Sequence, residues 1–210
     1  MIKVLLSDDH NIVREGIKRL FELTQDITVA AEATNGNQLL TILDEVSVDL
    51  VLLDMSMPGI SGANLIKRVA ARHPALPILV LSMHNEILIA RRALKAGASG
   101  YLTKDSEPEV LLGAIRKVAQ GQCYICPELA EQMIFSLDNA GTDQAHELLS
   151  ERELEIMLLL AKGTSVNDIA TQLSISNKTV STHKLRFMQK LNLNTNADLI
   201  RYAVENSLIA

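Results

Sequence analysis

Leu50-Val51-Leu52-Leu53-Asp54-Met55-Ser56-Met57-Pro58-Gly59 runs from four apolar residues straight into an acid and then a Pro-Gly turn. Four apolar residues in a row leave no face for solvent, which marks a strand covered on both sides, as in the middle of a parallel sheet. Ile78-Leu79-Val80-Leu81 repeats the pattern, and shorter runs at 4–6, 28–31 and 100–102 bring the strands to five. A helical pattern follows each strand, over roughly 11–23, 36–45, 62–72, 85–96 and 106–120. Strand and helix in strict alternation give a doubly wound α/β domain, with its ligand site beyond the carboxyl ends of the strands.

Those ends are polar. The first strand runs into Asp8 and Asp9, the third into Asp54, the fourth into Ser82 and the fifth into Lys104. Any one of these residues could cap a helix or a turn, but together on one sheet edge they describe a pocket. Three crowded carboxylates repel one another unless a cation intervenes. Mg²⁺, which prefers carboxylate oxygens and water, suits such a cluster. With the cation in place Asp54 stays ionised and can attack a phosphorus atom. Mg²⁺ and Lys104 would then neutralise the equatorial oxygens, with Ser82 donating a hydrogen bond.

After Gly121 the strand signal stops. Pro127 can start a short helix, and residues 138–146 read as a polar, turn-prone linker. From Leu148 onward the pattern is helical. Ser150-Glu151-Arg152-Glu153 forms a capping box, with Ser150 as N-cap and Glu153 three residues on. Helices are expected over about 151–161, 166–173 and 177–191, with Ser174-Ile175-Ser176 as a short turn between the last two. That is the spacing of a helix-turn-helix, whose second helix enters the major groove. On the third helix Val180, Phe187, Met188 and Leu191 fall on one face and should be core. Lys178, Ser181, Thr182, Leu185 and Gln189 fall on the other, where lysine and hydroxyls suit phosphates and base edges and Leu185 a thymine methyl. A solvated amphipathic helix would show a similar split, but an exposed leucine and the absence of acids favour DNA.

Over about residues 1–121 the chain resembles the receiver domain of response regulators. The strings that carry the likeness are Ser7-Asp8-Asp9-His10, Asp54-Met55-Ser56-Met57-Pro58-Gly59, Ser82, and Tyr101-Leu102-Thr103-Lys104. The resemblance implies a flavodoxin-like five-stranded sheet and phosphoryl transfer to Asp54 from a sensor histidine kinase. Asp9, Asp54 and the Ser56 carbonyl would hold Mg²⁺, with Asp8 bound through water, and Ser82 and Tyr101 would be the switch pair. Two departures stand out: Ser82 replaces the more usual threonine, and Asp105 rather than proline follows Lys104. A non-proline cis bond costs about 3 kcal/mol, so that peptide should be trans.

Residues 148–210 resemble the LuxR-type helix-turn-helix of the NarL/FixJ family, through Leu149-Ser150-Glu151-Arg152-Glu153, Ile169-Ala170 with Leu173, and Lys178-Thr179-Val180 with His183 and Lys190-Leu191. The likeness implies phosphate contacts from Lys178 and Thr179, base-reading positions at Ser181, Thr182 and Leu185, Lys184 within the same DNA-contacting set, and dimer contacts from a last helix over about 196–207. The strings Met57-Pro58-Gly59-Ile60, Leu149-Ser150-Glu151-Arg152-Glu153-Leu154 and Ile156-Met157 are also similar to GacA/UvrY-type regulators. The expected organisation is a receiver at 1–121, a linker with a short helix at 122–147, and an all-α helix-turn-helix domain at 148–210. Double-stranded promoter DNA, a histidine kinase and a second copy of the phosphorylated chain are the implied partners.

Bulk properties fit that picture. The chain has 210 residues, 48% of them hydrophobic, enough for two cores. No apolar run reaches membrane-span length and the first residues lack a signal-peptide pattern, so a cytoplasmic protein is expected. The net charge of −5 weighs against nucleic acid only on average. Residues 176–190 hold Lys178, Lys184, Arg186 and Lys190 with no acid, while 127–146 hold Glu128, Glu131, Asp138 and Asp143 with no base. Cys123 and Cys126 lack the two further ligands that zinc requires and lie outside a redox-helix context. Two rivals remain. A ligand-sensing LuxR-type regulator would have no use for the pocket. An aspartyl-phosphate phosphatase usually carries a second aspartate two residues after the nucleophile, where Ser56 stands.

Overall fold

A computed structural model describes residues 1–83, 87–136, 145–206 and 208–209. The chain divides into two compact units, Met1–Asn139 and Ala140–Ala210.

In the first unit β1 (Ile2–Ser7), α1 (Asn11–Glu22), β2 (Ile27–Ala33), α2 (Gly36–Glu45), β3 (Leu50–Asp54), α3 (Gly62–Arg72), β4 (Ile78–Ser82), α4 (Ile87–Lys95), β5 (Gly100–Thr103) and α5 (Pro108–Ala119) alternate as the apolar runs require. The expected helix start at residue 85 lies outside the described residues. All strand pairs are parallel, in the order β2-β1-β3-β4-β5-β6. Every residue of β3 and β4 is buried, which explains their lack of alternation. The order reverses between β1 and β3, so the carboxyl ends of these neighbours diverge into a crevice.

The sheet has six strands where five were expected. Tyr124–Ile125 forms β6, parallel to β5 through Gly100↔Tyr124 and Tyr101↔Ile125. Two residues set no period, so the strand left no trace in the sequence pattern. The close fit is visible at Gly100, where a Cβ would meet the Tyr124 carbonyl oxygen at 2.8 Å and Leu79 Cδ1 at 2.9 Å. Helix α6 (Pro127–Ser136) follows and packs against α4, with Leu129 2% exposed. The expected linker at 138–146 lies almost wholly outside the described residues.

The second unit begins with a 3-10 turn at Ala145–Leu148, then α7 (Glu151–Ala161), α8 (Val166–Gln172), α9 (Asn177–Lys190) and α10 (Asn196–Glu205). Each helix starts on a hydroxyl. Ser150, Ser165, Ser176 and Thr195 accept from the backbone N–H three residues on, so one orphan donor per helix is satisfied. Val180 and Phe187 of α9 are fully buried, and Met188 and Leu191 nearly so. These residues seat α9 on α7 and α8.

Between α8 and α9 Ser174 adopts φ 51°. A Cβ is unfavourable in that left-handed region by about 1 kcal/mol, whereas glycine is not. Ser174→Gly should therefore raise the unfolding free energy of this unit by up to about 1 kcal/mol, the relief of strain in the folded state being partly offset by the freedom that glycine gives the unfolded chain. Urea titration followed by circular dichroism would show it as a higher midpoint at unchanged slope.

Candidate functional site

The end of β1 turns into the pocket at once. Asp8 is 2% exposed and its backbone N–H donates to Ala33 O, which holds it against the end of β2. Asp54, 3% exposed, ends β3, and Ser82, fully buried, ends β4. Lys104 follows β5, with its backbone N–H donating to Ser82 O at 2.8 Å. Its ammonium lies 2.7 Å from Asp8 Oδ2 and 3.0 Å from Asp54 Oδ2. Asp8, Asp9, Asp54 and Lys104, singled out by their strand-end positions, thus form one cluster at the crevice.

The electrostatics are those of a buried site short of positive charge. Burial pushes the Asp54 carboxyl above the ordinary carboxylate range; Lys104 pulls it back and the neighbouring Asp8 pushes it further up. Burial works against the Lys104 ammonium as well, but Asp54 and Asp8 prevail and hold it above its usual value. Ligand atoms of Asp8, Asp9, His10 and Asp54 all lie within 4.8 Å of one another. Asp9 Oδ1 is buried and accepts no well-aligned hydrogen bond, although the His10 ring Nδ1 lies 3.0 Å away. Carboxylate oxygens converging from two strand ends suit a hard divalent cation. Ser56 is exposed on the loop beside them, its N–H donating to Asp54 Oδ1 at 3.3 Å. No cis peptide occurs among the described residues, so Lys104–Asp105 is trans as expected. Tyr101, on β5, is wholly buried.

Several residues support the cluster through contacts that the sequence pattern did not show. Ser7 Oγ, buried beneath the cluster, donates to Met57 Sδ at 3.2 Å and so ties β1 to the loop that follows Asp54. Arg14 donates to the Asp8 carbonyl at 2.8 Å while its Nε reaches Glu32 at 3.1 Å. A Cβ on Gly36 would stand 1.9 Å from Ile60 O, so only glycine lets α2 start against that same loop. His10 Nδ1 sits 3.1 Å from Asp8 Oδ1 and 3.0 Å from Asp9 Oδ1. A signal for His10 existed in its adjacency to the two acids. The partners of Ser7 and Gly36 lie too far along the chain for any motif.

In the second unit Lys178, Ser181 and Thr182 are exposed, and Leu185 is 61% exposed although it is a large apolar residue. Thr179 and Lys184 are half-buried beside them. Thr182 donates its hydroxyl proton to Lys178 O at 2.8 Å, which leaves the hydroxyl oxygen as an acceptor. Thr179 Oγ1 lies 2.8 Å from Ser176 Oγ at the helix start. The two ends of α9 are anchored, by Asn177 Nδ2 donating to Asn167 Oδ1 at 2.6 Å and by Lys190 on the buried Glu153 at 2.6 Å. Burial pushes the His183 ring below its ordinary value, which favours the neutral imidazole. On α10 Ile200 and Val204, one turn apart, are 45% and 56% exposed.

Cys123 is exposed and Cys126 buried, on either side of β6. Among the described residues no helix is long and apolar enough to cross a membrane.

Comparison with known proteins follows the same division. Residues 4–116 match the response regulator receiver domain, and residues 147–203 match the bacterial regulatory proteins of the luxR family. Response regulator UvrY of Escherichia coli K12 is 40% identical over 209 residues, covering 99% of this chain and 96% of its own. Response regulator GacA of Pseudomonas aeruginosa is 35% identical over 210 residues, covering 100% of this chain and 98% of its own. Among solved structures, RcsB of Salmonella enterica serovar Typhimurium, bound to promoter P1flhDC in the presence of phosphomimetic BeF3-, is 29% identical with a TM-score of 0.60, covering 98% of each chain.

Removing one partner of a buried charge cluster leaves the others uncompensated, so Lys104→Met should destabilise the first unit by about 3 kcal/mol at neutral pH. The sign of its pH dependence follows from Asp54. A carboxyl whose folded pKa is raised takes up its proton more readily in the folded state, so acid favours folding. The deficit of the variant should shrink as pH falls through the acid range, as read by urea titrations at stepped pH.

Proposed function

The chain belongs to the response regulators, phosphorylation-dependent transcriptional regulators that join a receiver domain to a LuxR-type DNA-binding domain, and from that premise we propose that Asp54 is the phosphoacceptor that governs promoter binding by α9. The observation that carries the assignment is the buried Asp54 carboxylate at the mouth of the crevice, paired with Lys104 and flanked by Asp8 and Asp9.

Asp54 Oδ would attack the phosphorus of a kinase phosphohistidine, forming a P–O bond as the P–N bond breaks, and the imidazole would leave with a proton. The chain supplies orientation and charge. Lys104 neutralises one oxygen of the transferring group, and the Ser82 hydroxyl turns to donate to another. Asp9, Asp54 and the Ser56 carbonyl would hold Mg²⁺, with Asp8 acting through water, and the bound cation would offset the remaining negative charge. The same groups account for self-catalysed phosphotransfer and slow loss of the phosphoryl group, so the protein is a regulator rather than a turnover enzyme.

For the second unit we assign Lys178, Thr179 and Lys184 to phosphate contacts and Ser181, Thr182 and Leu185 to base edges in the major groove. The exposed Ile200–Val204 stripe of α10 is assigned to pairing with a second copy, so that two α9 helices read half-sites together. Binding as a pair multiplies affinity without new contacts to DNA, and phosphorylation would shift the population toward that state. The expected setting is the cytoplasm, where kinase and promoter meet.

Asp54→Ala should abolish labelling by a phosphodonor and remove the gain in promoter affinity that phosphorylation gives, on the order of tenfold or more at low protein concentration. Phos-tag electrophoresis and fluorescence anisotropy on the same samples test both. Equal DNA binding by the variant and by phosphorylated wild type would overturn the gating.

A further inference from the structure

His10 takes no part in the chemistry above, yet its ring nitrogen occupies the centre of the acidic cluster. Nδ1 lies 3.0 Å from Asp9 Oδ1, 3.1 Å from Asp8 Oδ1 and 3.9 Å from Asp54 Oδ2. We propose that His10 makes this pocket a mixed nitrogen–oxygen site, one that takes imidazole-seeking divalent cations such as Co²⁺ and Ni²⁺ more tightly than its carboxylates alone would. The inference rests on the reading of the pocket as the cation site and adds a ligand to it.

The geometry has the right scale. Two ligands at about 2.1 Å from one cation and at a right angle stand about 3.0 Å apart, and two on opposite sides about 4.2 Å apart. Nδ1 keeps the first separation from Asp8 and Asp9 and comes close to the second from Asp54. A cation entering this space must therefore expel the ring or be bound by it.

The ring is held there by the pocket itself, its Nδ1 within hydrogen-bond distance of Asp8 Oδ1 at 3.1 Å, a bond that a cation would replace. The His10 N–H donates to Asp8 Oδ1 at 2.8 Å, which fixes its backbone against the pocket. His10 is the N-cap of α1, yet its side chain makes no capping bond, and the ring is 57% exposed and able to adjust by rotation. Imidazole adds little for Mg²⁺, which favours oxygen and retains its waters. It adds much along the series toward Ni²⁺. At Asp8 the two nitrogen neighbours use different oxygens, Lys104 meeting Oδ2 and the ring Oδ1, whereas at Asp54 both face Oδ2, which Lys104 already holds at 3.0 Å.

The test is calorimetric titration of the full-length protein with Mg²⁺, Co²⁺ and Ni²⁺, in wild type and His10→Asn, with Asp9→Asn as the background for metal taken up elsewhere. Asparagine is a favoured N-cap, so the variant keeps α1 intact. The expected result is a loss of Co²⁺ and Ni²⁺ affinity on the order of tenfold with Mg²⁺ affinity unchanged. A hyperfine-shifted imidazole N–H resonance should appear in Co²⁺-loaded wild type and be missing from the variant. An equal loss for all three ions, a gain for all three, or no change would each overturn the proposal. Failure of wild type to take up Mg²⁺ at all would instead overturn the cation reading beneath it.

Discussion

The Lys104 ammonium, 2.7 Å from Asp8 and 3.0 Å from Asp54, is the interaction on which the first unit turns. Its two partners are almost wholly removed from water, and with Asp9 beside them the negative charges outnumber the positive. A buried site with such an imbalance is costly in isolation and becomes favourable when something charged completes it. The parallel sheet imposes the arrangement: β1, β3 and β5 all deliver their last residues to the same rim, and apolar strands leave those residues nowhere else to go. A phosphoryl group on Asp54, in the proposed reading, would replace one carboxylate by a larger and more highly charged group in the same place, and Lys104 and Ser82 would have to adjust to it.

How much of this could be read from the chain varied with the range of each interaction. The β3 run was legible because a strand covered on both faces has no polar alternation to hide it, and every one of its residues is buried. Asp8, Asp9, Asp54 and Lys104 were legible because polar residues at the ends of apolar strands are out of place as packing. Strand β6 was not, since Tyr124–Ile125 is too short to show a period. Nor were the supports. Ser7 reaches Met57 across fifty positions, and Gly36 is required only because Ile60 O happens to lie against it. Such pairings are made by tertiary structure alone.

The same contrast runs through α9. Its buried face followed from helical spacing, with Val180 and Phe187 at 0% exposure and Leu185 left at 61%. What periodicity could not show is how the outward face is held to its task. Thr182 spends its proton on Lys178 O, and Lys190 fastens the far end of the helix to the buried Glu153. The carboxylate of Glu153 also accepts from the Ser150 N–H, so one acid serves a helix start and a recognition helix at once. Both ends of α9 are thus anchored, and its outward face carries positive charge in a chain whose average charge of −5 would not advertise it.

Strand β6 has a consequence beyond its size. By running along β5, with the Tyr124 N–H donating to Ser99 O and no room for a side chain at Gly100, it occupies hydrogen-bonding groups that would otherwise face outward along that margin. Unsatisfied strand margins are templates on which other chains can stack and aggregate. The margin that β6 leaves in its turn is only two residues long, too short a ladder for another chain to extend.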